Sequence, residues 1–401
     1  MRALVSARIG ADFNRLWTAS LVSNLGDGVT MVAGPMLVAS VTTDPALVAG
    51  AVFVQQLPWL LFSLISGAYV DRLDRRRLIV VVNALRAGAL ATLAVSVATG
   101  TVTVTMIYTV FFLLGVGETL ADTAFSAFLP AIVAPEHLAG ANARLGATFT
   151  VVNQFAAKPF GAWLFAVAAA APFGVNALTF AVGAALVSRI RPVPAPPAAP
   201  PARLRTEIAE GVRWLWRHHM LRTLAVSMGL GNVAFCAAFA VFVLYARQRL
   251  GLSDVGYGLL LTTFAIGGLL GTFLAARLQA TFGAGAVLRA GLIIEAVTHV
   301  TLAVTTTPLV AAAILIVFGI HTMVWGVIVA TLRQRVVPPG LQGRVGGVYA
   351  LIDVGGAAVG SLLGGLLSQI WGVTTPFWTA AVAMTVIAAV AWRPLGPATS
   401  A

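Results

Sequence analysis

Gly67-Ala68-Tyr69-Val70-Asp71-Arg72-Leu73-Asp74-Arg75-Arg76-Arg77 is a short, densely charged bridge between two long apolar runs, 46–69 and 78–99. Each run is long enough to cross a bilayer, which takes roughly 20 apolar residues in a helix. The same alternation continues in both directions. Spans are expected at 15–40, 46–69, 78–99, 103–127, 145–170, 172–190, 220–245, 255–277, 285–305, 308–331, 346–370 and 374–393. Composition agrees: of 401 residues 59% are hydrophobic and 9% charged, against about 25% charged in a soluble domain. The expected fold class is an all-α membrane protein of twelve transmembrane helices.

Charge sets the expected orientation. Arg72, Arg75, Arg76 and Arg77 fall in one connection, and alternate connections hold Arg144, then Arg203, Arg205, Arg213, Arg217 and Arg222, then Arg277, then Arg333, Arg335 and Arg344. Arg2, Arg8, Arg15 and Arg393 join this set at the termini. The other connections are nearly bare apart from Arg247 and Arg249. Cationic loops stay cytoplasmic, so both termini are expected in the cytoplasm and the protein in the inner membrane of a bacterium. The net charge of +12 then marks loops beside a bilayer, with no nucleic-acid partner. Residues 1–15 are mixed and charged, unlike a cleavable signal peptide. Trp17, Trp371, Trp378 and Trp392 fall near span ends, as in an interfacial aromatic belt.

The chain repeats itself. Leu85-Arg86-Ala87-Gly88 returns as Leu288-Arg289-Ala290-Gly291, and Val133-x-Pro135-x-x-Leu138-x-Gly140 returns as Val336-x-Pro338-x-x-Leu341-x-Gly343. Both pairs lie 203 residues apart (85 to 288, 133 to 336). This predicts two six-helix halves, 1–190 and 220–401, related by an axis along the membrane normal. Between them, 191–219 is a linker. Its Pro/Ala run at 192–201 stays extended, and 203–219 reads as a basic helix with Trp214 and Trp216, suited to the membrane surface.

The bridge and its neighbours resemble the major facilitator superfamily. Gly67-x-x-x-Asp71-Arg72-x-x-Arg75-Arg76 matches that family's loop motif after span 2, and Gly271 to Arg277 is a worn second copy lacking the aspartate. Asn24-Leu-Gly26-Asp27-Gly28, Leu129-Pro130 before Asn142, and Gln334-Arg335-Val-Val-Pro338 with Gly343-Arg344-Val345 are similar to the bacterial drug and siderophore efflux branch, which includes enterobactin exporters and macrolide efflux proteins. The resemblance implies two six-helix pseudo-repeats, a central cavity lined by spans 1, 4, 7 and 10, and small-molecule export. Efflux members often carry G-P-x-x-G-G in span 5. Here the stretch reads Lys158-Pro159-Phe160-Gly161-Ala162, with lysine at the first glycine position and alanine at the last.

Ionisable residues inside spans are costly and usually face a cavity or a partner. Asp27 lies near the middle of span 1, and its repeat mate is Asn232. It is read either as a substrate or proton contact or as a carboxylate satisfying a neighbouring helix. Glu118 and Asp122 share one face of span 4. Two carboxylates in a poorly solvated place do not both ionise easily, which is what a proton carrier needs. Glu118 maps 203 residues on to His321 in span 10, whose imidazole suits proton exchange; a fixed structural pair is the other reading. Lys158, the only lysine, is read as a counter-ion to Asp27, Glu118 or Asp122, as a handle for an anionic solute, or as a snorkelling side chain. Glu295 and His299 share a face of span 9, and a structural pairing with Arg289 is expected. Asp353 is expected to meet Arg72 and latch a gate formed with Gly67, Asp71, Arg75 and Arg76. Phe125, Phe235, Phe239 and Trp325 are the aromatics expected to face the cargo.

No Walker loop, metal-ligand spacing or nucleophile motif is present. The lone Cys236 gives no disulfide. An enzyme, a metal site and a bound cofactor are therefore not expected. The favoured expectation is a monomeric proton-coupled exporter of a bulky amphipathic molecule. Two rivals stand beside it: an uptake symporter or facilitator for an anionic solute, and a non-transporting membrane sensor or scaffold.

Overall fold

The computed structural model describes residues 10–70, 73–191, 204–338 and 341–395. These are helical throughout, with no strand among the described residues. In chain order the helices are α1 (Ala11–Val41), α2 (Pro45–Val70), α3 (Arg75–Ala98), α4 (Val104–Ile132), α5 (Leu138–Thr148), α6 (Ala157–Val167), α7 (Ala171–Ser188), α8 (Leu204–Arg217), α9 (His219–Phe239), α10 (Phe242–Gln248), α11 (Asp254–Phe282), α12 (Ala284–Val304), α13 (Pro308–Val336), α14 (Gln342–Trp371) and α15 (Thr375–Ala391). Among the described residues, ten helices are long and apolar enough to cross a membrane. Two expected spans fall outside that set. The span at 145–170 is divided among α5, a π-helical stretch Phe149–Ala156 and α6. The span at 374–393 is the 17-residue α15.

The chain divides into two compact units, Met1–Val41 with Val54–Pro201, and Thr42–Phe53 with Ala202–Ala401. In the first, α1, α3, α4, α6 and α7 pack on one another. The arginines of the opening bridge act here as helix ties. Arg75 Nη1 donates to the Ala127 carbonyl of α4 at 3.1 Å, and Arg76 Nη2 donates to the Ser188 carbonyl at the end of α7. Ser188 ends α7, where carbonyls lack an intrahelical donor and a cation also meets the negative end of the helix dipole. Asp71 and Arg72 lie outside the described residues. Asp74 caps α3, accepting from the Arg77 amide at 3.1 Å. Asp74→Ala is expected to cost about 1 kcal/mol, read as a lower melting temperature of the detergent-solubilised protein.

Glycines set the helix spacing in the second unit. A side chain at Gly356, Gly360 or Gly364 of α14 would run into the Gly229, Val233 and Ala237 carbonyls of α9, in step four residues apart. Backbones in such a seam touch directly, the arrangement small residues permit in membranes. α8 docks on the same unit through Leu215, which is fully buried, and through a 2.6 Å ion pair between Glu210 and Arg344 of α14. The basic helix expected at 203–219 is thus present.

Candidate functional site

The first unit contains an acidic cluster around one guanidinium. Gly26 and Gly28 let α1 lie directly on α7 and the π-helical stretch; a Cβ at Gly28 would sit 2.6 Å from the Ala157 Cβ. Asp27, between them, points toward α3, where Arg86 Nη2 meets its Oδ1 at 3.2 Å. The Arg86 side chain is 7% exposed. Its stem passes over Gly117, where a Cβ would be 2.8 Å away, and its guanidinium lies 3.9 Å from the centre of the Phe180 ring. Glu118, next to that glycine, interacts electrostatically with Asp27, Arg86 and Asp122, and Asp122 with Arg86 and Asp27. Three carboxylates therefore share one cation. Among the described residues neither Glu118 nor Asp122 makes a hydrogen bond or an ion pair, and Asp122 is exposed at the surface of its unit.

Lys158 lies apart from this cluster. It is 5% exposed, and its Nζ donates to Gln154 Oε1 at 2.8 Å. The counter-ion of Asp27 is thus Arg86, and Lys158, one of whose expected roles was counter-ion to Asp27, Glu118 or Asp122, is bound to Gln154 instead. Gln154 also donates to Asn153, and Asn153 donates to the Asn24 carbonyl at 3.1 Å. This polar chain rides on the π-helical stretch, a local widening that recurs at functional sites. Asn176 of α7 adds a second stitch to α1, donating to Thr30 Oγ1 at 2.7 Å.

The second unit holds two polar pairs. Asn232 of α9 donates to Asp353 Oδ1 at 3.0 Å and to its carbonyl at 2.7 Å. Asp353 thus binds α9 to α14, while its expected partner Arg72 is outside the described residues. His321 Nε2 of α13 faces Glu295 Oε2 of α12 at 3.6 Å. This corrects the expected pairing of Glu295 with Arg289. Arg289 instead donates to the Trp392 carbonyl at 2.8 Å and lies over its ring. His299 Nδ1 donates to the Glu295 carbonyl at 2.8 Å; a carbonyl only accepts, so that nitrogen carries the proton.

The aromatic expectations divide. Phe235 and Phe239 stack at 4.2 Å and join Phe264 and Phe318 in one cluster. Trp325 meets His321 edge-on at 5.8 Å. Phe125 packs on the core of α1, α3 and α4. The sequence reading did not single out Arg86 as a site residue, although it stands inside the repeated Leu-Arg-Ala-Gly; a cation deep in an apolar run was the signal available.

Membrane-length helices carrying carboxylates, a guanidinium and an imidazole that meet within the bundles together fit the transporter class. Solved structures agree on the fold. A bacterial homologue of the iron transporter ferroportin in its inward-facing state superposes with a TM-score of 0.78 at 17% identity, over 96% of this chain and 98% of that one. The nucleoside transporter NupG gives 0.75 at 12%, over 96% and 100%.

The chain belongs to the major facilitator superfamily: residues 7–401 match its family described as transmembrane secretion effector. Among characterised proteins it is similar to the multidrug efflux pump Tap of Mycolicibacterium fortuitum, 28% identical over 391 residues covering 93% of each chain. It is thus a multi-pass membrane transporter acting on small molecules, and its relatives and structural neighbours are transporters, not enzymes.

Proposed function

We propose that the chain is a proton-coupled exporter of bulky amphipathic small molecules in the bacterial cytoplasmic membrane, with both termini in the cytoplasm, working as a monomer by alternating access. The observation that carries the reading is the sharing of Arg86 by Asp27, Glu118 and Asp122. With all three carboxylates ionised the cluster has two negative charges in excess, an unfavourable state away from bulk water. Arg86 holds Asp27 directly, so Glu118 and Asp122 are the groups left to exchange protons. A proton and the positive charge of a cationic amphipathic cargo each relieve the same excess, so one leaves as the other arrives. His321, paired with Glu295, is the corresponding exchanging group of the second unit. Phe235 and Phe239 offer an aromatic surface for the apolar body of the cargo. The similarity to a multidrug efflux pump supports the outward direction. Burial of Lys158 against Gln154 leaves the uptake of an anion without a supporting observation.

Glu118→Gln tests this. In a drug-hypersensitive bacterium loaded with a panel of dyes, macrolides and siderophores, the natural chain is expected to give protonophore-sensitive loss of a compound. The variant should reach the membrane in equal amount yet show only background efflux. Unimpaired efflux in the variant would remove Glu118 as the carrier. Protonophore-sensitive accumulation of an anion would reverse the direction.

A further inference from the structure

The second unit carries a cavity of about 410 Å³, open on one side and walled by α11, α12 and α13, within the size range of small-molecule sites. Its lining is aliphatic and aromatic, and His321 and Trp325 supply the side-chain polar atoms. Gly291 forms part of the wall, and a Cβ there would lie 2.5 Å from His321 Nδ1 and Cε1. The Nδ1 edge of the imidazole therefore packs on α12 at Gly291, where the missing side chain leaves room for the ring, and both residues line the cavity. The opposite edge faces Glu295. The His321 side chain is 5% exposed, and its Nδ1 has no hydrogen-bond partner among the described residues. It is not one of the described buried atoms shut off without a partner, so it stays accessible to a ligand's donor beside an apolar space of ligand size.

We propose that this cavity binds an uncharged, mostly apolar molecule carrying one O–H or N–H donor, which bonds to His321 Nδ1. The donor sense follows from the tautomer. A carboxylate beside Nε2 holds the ring proton there, and Nδ1 is then the acceptor. A formal charge on the ligand is disfavoured for either sign: the walls offer a cation no carboxylate, and an anion would face Glu295 behind the ring. Entry is from the bilayer, because Phe282 and Val317 on the rim are apolar and exposed. The site shares His321 with the export reading but needs no part of the acidic cluster of the first unit, and binding there is tested without proton-driven export.

The test uses the full chain in lipid nanodiscs and a diazirine-bearing alkylphenol, with labelled peptides located by mass spectrometry. Labels are expected within 286–294 and 317–325. Unlabelled 4-hexylphenol should compete roughly tenfold better than its methyl ether, which has no donor, the size of effect a buried unmade hydrogen bond produces. Ala290→Trp fills the cavity from its exposed side and should remove the labelling while the melting temperature stays unchanged. His321→Phe should make phenol and ether equal; if that variant does not fold, the phenol-to-ether ratio in the natural chain decides. Labelling spread evenly over the apolar surface, labelling that survives Ala290→Trp, or equal competition by the ether in the natural chain would each overturn the assignment. None of these measurements depends on transport, so loss of this site leaves the export reading standing, and the reverse holds too.

Discussion

Replacing Arg86 with methionine is expected to cost about 3 kcal/mol, the lower end of the usual loss when one partner of a buried ion pair is removed, because a third of the Asp27 side chain stays exposed. Methionine keeps most of the stem that passes Gly117 and removes the guanidinium. Asp27, at 3.2 Å from that guanidinium and on a span, would then hold an uncompensated charge beside Glu118 and Asp122. The contact with the Phe180 ring would go as well. Adding Asp27→Asn to Arg86→Met removes the stranded charge and should recover more than half of the lost stability. The two changes are in direct contact, so they should not add. Thermal unfolding of the four proteins in detergent reads the coupling. Additive losses would mean that Arg86 and Asp27 do not act as a pair. Transport should fail in the double variant whatever its stability, because the cluster has then lost its cation.

How far the sequence reveals this site depends on the range of the contacts. The spans follow from composition along the chain, and the two matches 203 residues apart mark the repeated halves. The helix α8 follows equally locally, from basic residues interleaved with Trp214 and Trp216. Glu118 and Asp122 share a face because they are four residues apart. Arg86 reaches Asp27 across 59 positions, and no periodicity carries that distance. Lys158 stands out as a candidate counter-ion, among other readings, because it is a lone lysine in an apolar run. In the folded chain Gln154, one helical turn earlier, occupies its ammonium group. The division of the fifth expected span is also invisible to hydropathy, since a π-helical stretch is as apolar as the helices beside it. The repeat matches His321 to Glu118, yet its partner Glu295 comes from the neighbouring expected span 9.

An effect of similar size should come from a single methyl group. Gly267 on α11 lies against α13 so closely that a Cβ would run into the Ile316 carbonyl and sit 3.0 Å from the Gly319 Cα. Both obstacles are backbone, which cannot turn aside as a side chain can. Gly267→Ala should therefore push α11 from α13 and cost at least the upper part of the usual overpacking range, about 3 kcal/mol. The next residue supplies the control. A Cβ at Gly268 meets nothing within 4 Å, so Gly268→Ala adds a methyl at no steric cost and should stabilise the helix by about 0.5–1 kcal/mol. Two neighbouring substitutions of identical chemistry should thus move the melting temperature of the solubilised protein in opposite directions. Equal losses at both positions would mean that helix interiors in this chain simply require glycine. Opposite signs would assign the requirement to direct backbone contact between α11 and α13, two walls of the His321 cavity, so Gly267→Ala should also weaken alkylphenol labelling there.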